Sequence, residues 1–353
     1  CSSDLGPESP VSTPLRLLAG SAEGERMMES HLFFDLEATG LSTGAGNVAF
    51  LLGLGRRSRE SFELTQWLLP DYPWEPELLR SVAEELERLE EELGPLTLVS
   101  YNGRSFDTPL LRTRMLMNGI PFEPPRELDL LPLTRRLWRR SLENCSLGTV
   151  EDGVLGVIRE LDVPGAFVPL RYFDYLQSGR PEPLLEVVAH HRQDILSLYL
   201  LLSRIERILA GGDSSGTGGD SSGTAGAVDT FELAKLLLEL DPLPGAAERG
   251  EALFRGLTEE GKNERGALYY GRYLRRQGKP RAAYEIWRRC FAVAGSIASG
   301  IMAAKLLEHE FRDFRGALDL VEELLERSLP TQERLRSSLL HRQERLRRRI
   351  ASS

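Results

Sequence analysis

Cysteine is scarce in this 353-residue chain: Cys1, Cys145 and Cys290 lie far apart, and no C-x-x-C pair occurs. That excludes a disulfide framework and a clustered zinc site, and it suits a reducing cytoplasm. Long apolar runs are also missing, so no membrane-spanning helix is expected. There is no excess of positive charge. The formal net charge of -9 excludes a strongly basic nucleic-acid coat while leaving room for a local basic groove. Neither G-x-x-x-x-G-K-[ST] nor G-x-G-x-x-G occurs, which argues against a nucleotide-triphosphate site. The stretch "GLSTGAG" reads instead as a turn between two strands.

What is present is an ordinary globular composition, 41% hydrophobic and 27% charged, with enough chain for two domains. The basic residues are almost all arginine, which suits phosphate contacts but equally fits a coding bias. Cys1 stands where Met would be expected, so the chain reads as a fragment or a processed product. A lipid-modified cysteine is the less favoured alternative. Residues 1–29, rich in Ser, Pro, Gly and Glu, read as a poorly ordered lead-in. From residue 30 to 209 the pattern is α/β. "HLFFDLE", "NVAFLLGLGRR", "SFELTQWLL" and "LTLVSYN" read as strands, and "EPELLRSVAEELERLEEEL", "DTPLLRTRMLMNG" and residues 182–209 as helices. Strands first, then strands alternating with helices, predict a mixed sheet flanked by helices. Residues 210–228 carry "GGDSSGTGGDSSGT", a seven-residue unit repeated twice without an apolar side chain, and read as a flexible linker. Residues 229–353 read as all helical. "GKPRAAYEIW" and "RDFRGALDLV" lie 34 residues apart, with Ala283 matching Ala317 and Tyr273 matching Leu307. That is the period of tetratricopeptide-type helix pairs. The Arg-rich end, Thr331 to Arg349, reads as a solvated cap or, less favoured, a phosphate contact.

Three short segments carry candidate chemistry. In "FFDLEATG", Asp35 and Glu37 share one face of a strand that enters a core. In "SYNGRSFDTPLL", Asn102 and Gly103 make a turn, Phe106 packs, and Asp107 opens a helix, where a simple N-cap is the plain alternative. In "VVAHHRQDILSLYLLL", His190 and Asp194 are four apart and share a helix face, while His191 and Arg192 suit a solvent face. Four carboxylates converging on one place require cations, and hard oxygen ligands select Mg²⁺ or Mn²⁺. The segment "TRRLWRR" mixes Arg with Trp138, which either packs in the core or stacks on a base.

D-x-E, then N-x-x-x-F-D, then H-x-x-x-D, in that order, resembles the DEDD family of 3′–5′ exonucleases on the ribonuclease-H-like fold. The blocks "DLEATGLSTGAGNVAFLLGLG", "SYNGRSFDTPLL", "DVPGAFVPLRYFDYLQSG" and "HHRQDILSL" resemble more closely the bacterial YprB-like branch of that superfamily, whose members can carry tetratricopeptide repeats after the nuclease domain. The resemblance implies that two divalent cations are held by Asp35, Glu37, Asp107 and Asp194, with Asp35 bridging them. It implies that Glu37 and Asp194 hold the first ion beside the attacking water, and that Asp107 helps hold the second. His190 would orient and deprotonate that water. Leu41 and Phe106 would pack against the terminal base or sugar, and Thr39 and Asn102 would fix the scissile nucleotide. One departure stands out: His190 has the spacing usual for a tyrosine in this family, so His191 competes for the role, with His190 favoured.

The activity so implied is metal-dependent hydrolysis of nucleic acid from single-stranded 3′ ends. An inactive binding scaffold and a phosphodiesterase on small nucleotides are the alternatives. The helical repeats would bind a protein partner or, less favoured, extend the nucleic-acid path.

Overall fold

Strand β1 (His31–Ala38) shows in its burial why an eight-residue segment can be both core and site. Leu32, Phe34, Leu36 and Ala38 point into the main hydrophobic cluster, while Phe33, Asp35 and Glu37 point to the opposite face. The computed structural model describes residues 30–40, 43–58, 61–159, 164–212, 226–240 and 244–352. The lead-in, Leu41 and most of the Gly/Ser segment therefore lie outside the described residues.

Around β1 runs a five-stranded sheet with β2 (Ala49–Ser58), β3 (Ser61–Leu68), β4 (Thr97–Ser100) and β5 (Arg126–Asp129), in the order β3-β2-β1-β4-β5. The first three strands are antiparallel, whereas β4 and β5 run parallel to β1. The parallel strands need crossovers, and helices α1 (Glu75–Leu93) and α2 (Asp107–Met117) supply them. Leu78, Val82, Leu86 and Leu89 of α1 lie at helical spacing and join Leu110, Leu111 and Met115 of α2 in the cluster under β1. A buried bidentate pair, Arg114 to Glu75, ties these two helices at 2.6 and 2.5 Å. The strand β5, "RELD", lacks the apolar run that marks β1 and β2. It forms because β4 offers a parallel edge, not because of its own periodicity.

Helix α3 (Leu130–Trp138) follows, capped by the Asp129 carboxylate on the Leu131 amide at 3.0 Å. Its Trp138 is fully buried and donates from Nε1 to the Gly226 carbonyl at 3.2 Å. The base-stacking alternative for Trp138 is thereby corrected: the ring has no exposed face. After α4 (Val168–Ser178) comes the 29-residue α5 (Glu182–Ala210), which covers the other face of the sheet. Tyr199 of α5 meets Phe33 edge-on at 5.5 Å.

The chain divides into two compact units: residues 1–233 with 239–246, and residues 234–238 with 247–353. Helix α6 (Thr230–Glu239) contributes to both. The second unit consists of α7 (Ala246–Glu259), α8 (Glu264–Arg276), α9 (Pro280–Ala294), α10 (Ile297–His309), α11 (Phe314–Arg327) and α12 (Glu333–Ala351). Each of α8 to α12 packs on the next. Ala283 and Ala317, matched by the 34-residue period, are both fully buried. In α12, Arg342 and Arg345 bind the buried Glu308, and Arg347 binds Glu322. These pairs make α12 a cap held by ion pairs. Among the described residues no helix is long and apolar enough to cross a membrane.

One buried acid makes stability depend on pH. Glu206 of α5 is pushed up to about 7, chiefly by burial, with Arg57 offsetting part of the rise. Among the described residues its Oε1 has no hydrogen-bond partner. Because the unfolded chain ionises first, stability is expected to fall as pH rises from the ordinary glutamate range through 7. A Glu206→Gln protein should gain about 2 kcal/mol at pH 8 and almost nothing at pH 4.5. Urea melts at the two pH values read this difference, and an equal gain at both would refute it.

Candidate active site

Asp35, Gly53 and Gln66 form one row across β1, β2 and β3. The row has a gap at Gly53, and His191 fills it. A Cβ at Gly53 would stand 2.5 Å from His191 Cε1 and 2.3 Å from Ile195 Cδ1. Gly55 repeats the device, its missing Cβ giving room to Ile195 and Phe62. These two glycines let α5 lie against the sheet beside the acids.

His191 accepts from the Gln66 amide at Nδ1, 2.8 Å, and donates from Nε2 to the Asp35 carbonyl oxygen, 3.1 Å. Burial pushes its pKa down to about 4, so the ring is neutral and fixed in one tautomer. The expectation that His191 suits a solvent face is corrected: its side chain is fully buried and holds the β1 backbone at Asp35. The reason is that its position on α5 faces Gly53, a residue 138 places earlier whose lack of a side chain creates the slot.

The four acids come from three elements. Asp35 and Glu37 project from β1, half-buried at the end of the strand. Asp107 is the first residue of α2, where Phe106 holds the N-cap position and no side chain caps the helix. The simple N-cap alternative for Asp107 thus falls, and its carboxylate is available to the cleft. Asp194 projects from α5. Burial, then repulsion from Asp107, Asp194 and Glu37, raises the Asp35 pKa well above the carboxylate range. Glu37 is pushed up to about 8 by burial and by Asp194 and Asp107. Asp107 also reaches about 8, through burial and through Glu127 and Asp129 on β5. Asp194 is raised by burial, against the pull of His190 and Arg159. Burial and mutual repulsion work against all four being charged together, a cost that divalent cations would offset.

Glu37, His190 and Asp194 bring one ligand atom each within 4.8 Å of one another, a spacing that a single divalent cation can span. Asp35 and Asp107, close enough to repel each other, extend the set. The donors are carboxylate oxygens with one imidazole nearby, a set that suits a divalent cation.

Of the expected substrate contacts, Thr39 uses its hydroxyl to accept from the Val48 amide at 3.0 Å, closing the β1–β2 turn. Asn102 sits in the left-handed region, φ 68°, and donates its backbone N–H to Asp129 Oδ1 at 2.8 Å. Phe106 is half-buried against the main core. Leu41 lies outside the described residues.

The residue that sequence reading missed is Arg159. It follows the helical turns at Leu147–Val150 and Glu151–Leu155. Its guanidinium binds Glu151 from Nε, Asp194 from Nη2 and His190 Nδ1 from Nη1, the last at 2.9 Å. Glu151 is completely buried and also accepts from Ser197 Oγ. Burial works against the Arg159 charge, yet Glu151 and Asp194 hold its pKa above the usual range. Arginine only donates, so His190 Nδ1 must accept, and Nε2 carries the proton toward Asp194 Oδ2 at 3.3 Å. No signal near Arg159 marks it, since its partners lie 8 to 35 residues away.

A family model described as RNase_H superfamily matches residues 32–206. The chain belongs to the ribonuclease H superfamily. It is similar to the uncharacterized protein YprB of Bacillus subtilis (strain 168), with 30% identity over 326 residues, 91% of this chain and 75% of that protein. The superfamily domain points to nuclease-type hydrolysis, nucleic-acid binding and use of divalent metal, and the cluster of acids with His190 fits that chemistry.

Proposed function

We propose that this protein is a metal-dependent 3′–5′ exonuclease of the DEDD type, acting on single-stranded ends of nucleic acid. The observation that carries the reading is the convergence of Asp35, Glu37, Asp107 and Asp194, from a strand and two helices up to 159 residues apart, in one cluster with His190. Glu37 and Asp194 would hold one cation, Asp107 would help hold a second, and Asp35 would serve both, with His190 beside them to act on the water. Two such ions supply charge stabilisation to an in-line phosphoryl displacement and lower the pKa of water.

The chain's own residues do the rest. His191 and Gln66 fix the strand end that presents Asp35. Glu151 anchors Arg159, and Arg159 orients the His190 ring. For His190 to take a proton at Nε2, that atom must first be free of one, which requires Nδ1 to carry it and Arg159 to withdraw. Phe106 and Leu41 would bracket the terminal nucleotide, with Thr39 and Asn102 beside it. We read the second unit as a tetratricopeptide-type array and the protein as cytoplasmic, in keeping with free Cys145 and Cys290.

One observation favours a second reading, an inactive scaffold: Arg159 already neutralises Asp194 and Glu151 from within. The deciding experiment incubates 5′-labelled single-stranded DNA and RNA with the protein and Mn²⁺, Mg²⁺ or chelator. A metal-dependent ladder shortened from the 3′ end is expected. Intact oligonucleotides, together with a flat Mn²⁺ titration in a calorimeter, would leave the scaffold reading in its place.

A further inference from the structure

Several arginines in the second unit are spent on carboxylates. Arg288 and Arg327 bind Glu323, Arg342 and Arg345 bind Glu308, and Arg347 binds Glu322. Arg272 and Arg276 of α8 differ. Among the described residues neither has a carboxylate partner. Both are exposed and line a cavity of about 900 Å³, with Arg275, Tyr269, Met302 and Glu310 also on its wall. The acid on that wall, Glu310, is already met by Arg275 at 3.6 Å. The cavity therefore keeps two uncompensated positive charges. They stand four residues apart, one helical turn, or about 6 Å along the axis.

We propose that this cavity binds the sugar–phosphate backbone of single-stranded nucleic acid, a second contact outside the acid cleft. The identity of this polyanion rests on the nucleic-acid reading of the first unit. Arginine offers only donors, in a planar fork that matches phosphate oxygens. A phosphodiester backbone offers only acceptors, so the two inventories match. An extended acidic peptide would bring N–H donors along with its carboxylates, and the arginine side chains have no acceptor to meet them. Tyr269 is not a stacking platform. Its ring lies on Phe254 at 5.2 Å, and Lys235 stands over it at 5.8 Å. Recognition at this cavity is thus of phosphate and not of base, and it carries no sequence preference.

The test uses the full chain in chelator, so that binding is read without cleavage and independently of whether the acid cleft is a nuclease. Fluorescence anisotropy of a labelled oligothymidylate is followed between 50 and 200 mM KCl. Losing two phosphate contacts in Arg272→Ala/Arg276→Ala should flatten the log–log salt slope by about 1.4. Wild type would then give up about sevenfold more affinity than the variant across that range. Arg348→Ala, which breaks an exposed pair with Glu344, should leave the slope unchanged. Circular dichroism checks that each variant is folded. An unaltered slope in the folded double variant overturns the proposal. So does poly-glutamate that competes as well as the oligonucleotide at equal charge, because the cavity would then be a site for acidic protein.

Discussion

Asp35→Ala is expected to abolish cleavage, by at least about a thousandfold, and to make the metal-free protein more stable at the same time. The loss follows from removing the carboxylate placed between the two proposed cation positions; some 4 kcal/mol of transition-state stabilisation corresponds to that factor. The gain follows from the site itself. Asp35 is disfavoured in its charged form by burial and by three neighbouring carboxylates. Its removal relieves that repulsion, and the His191 bond to the Asp35 backbone survives because it uses the main-chain carbonyl. Mn²⁺ should raise the melting temperature of the wild type by mass action and do little for the variant. Thermal melts with and without Mn²⁺, run beside the cleavage assay, read both halves. A variant that melts lower in chelator, or that still shortens the oligonucleotide, would show that Asp35 is a structural acid.

The second large effect concerns Arg159. Among the described residues, Arg159→Met leaves the buried Glu151 carboxylate with the Ser197 hydroxyl alone to meet it. Breaking a buried pair from one side costs on the order of 3–5 kcal/mol, and the unfolding midpoint in urea should drop accordingly. Adding Glu151→Gln removes the orphaned charge and should restore most of that loss. Rescue distinguishes an ion-pair role from simple packing, since a packing defect at Arg159 would persist in the double variant. Losses that simply add in the double variant would mean that Arg159 is not coupled to Glu151.

Much of the site was legible before any fold was known. The alternation in "HLFFDLEA" placed Asp35 and Glu37 on one face, and the structure keeps them there, opposite Leu36. The His190–Asp194 spacing placed the two on one helix face, and they meet at 3.3 Å. The resemblance to YprB-like proteins supplied the superfamily, which the family match and the overall similarity bear out. What was not legible shares one trait: it depends on partners distant in the chain. The strand "RELD" has no pattern of its own and exists because β4 is beside it. Trp138 could have stacked on a base until the Gly226 carbonyl and the surrounding core claimed it. His191 looked like a surface residue because the slot that buries it is cut by Gly53.

The sequence by itself determined most of the elements, the alternation of buried and exposed positions along them, and the order of the acidic motifs. These are encoded at separations of two to four residues, where backbone geometry dictates which side chains share a face. Tertiary structure alone decided which histidine is buried and neutral, which arginine holds Asp194, and that Asp107 faces acids instead of capping its helix. Those outcomes depend on which surfaces pack together, because burial sets the cost of every charge and a charge's partner is whatever the fold brings within reach.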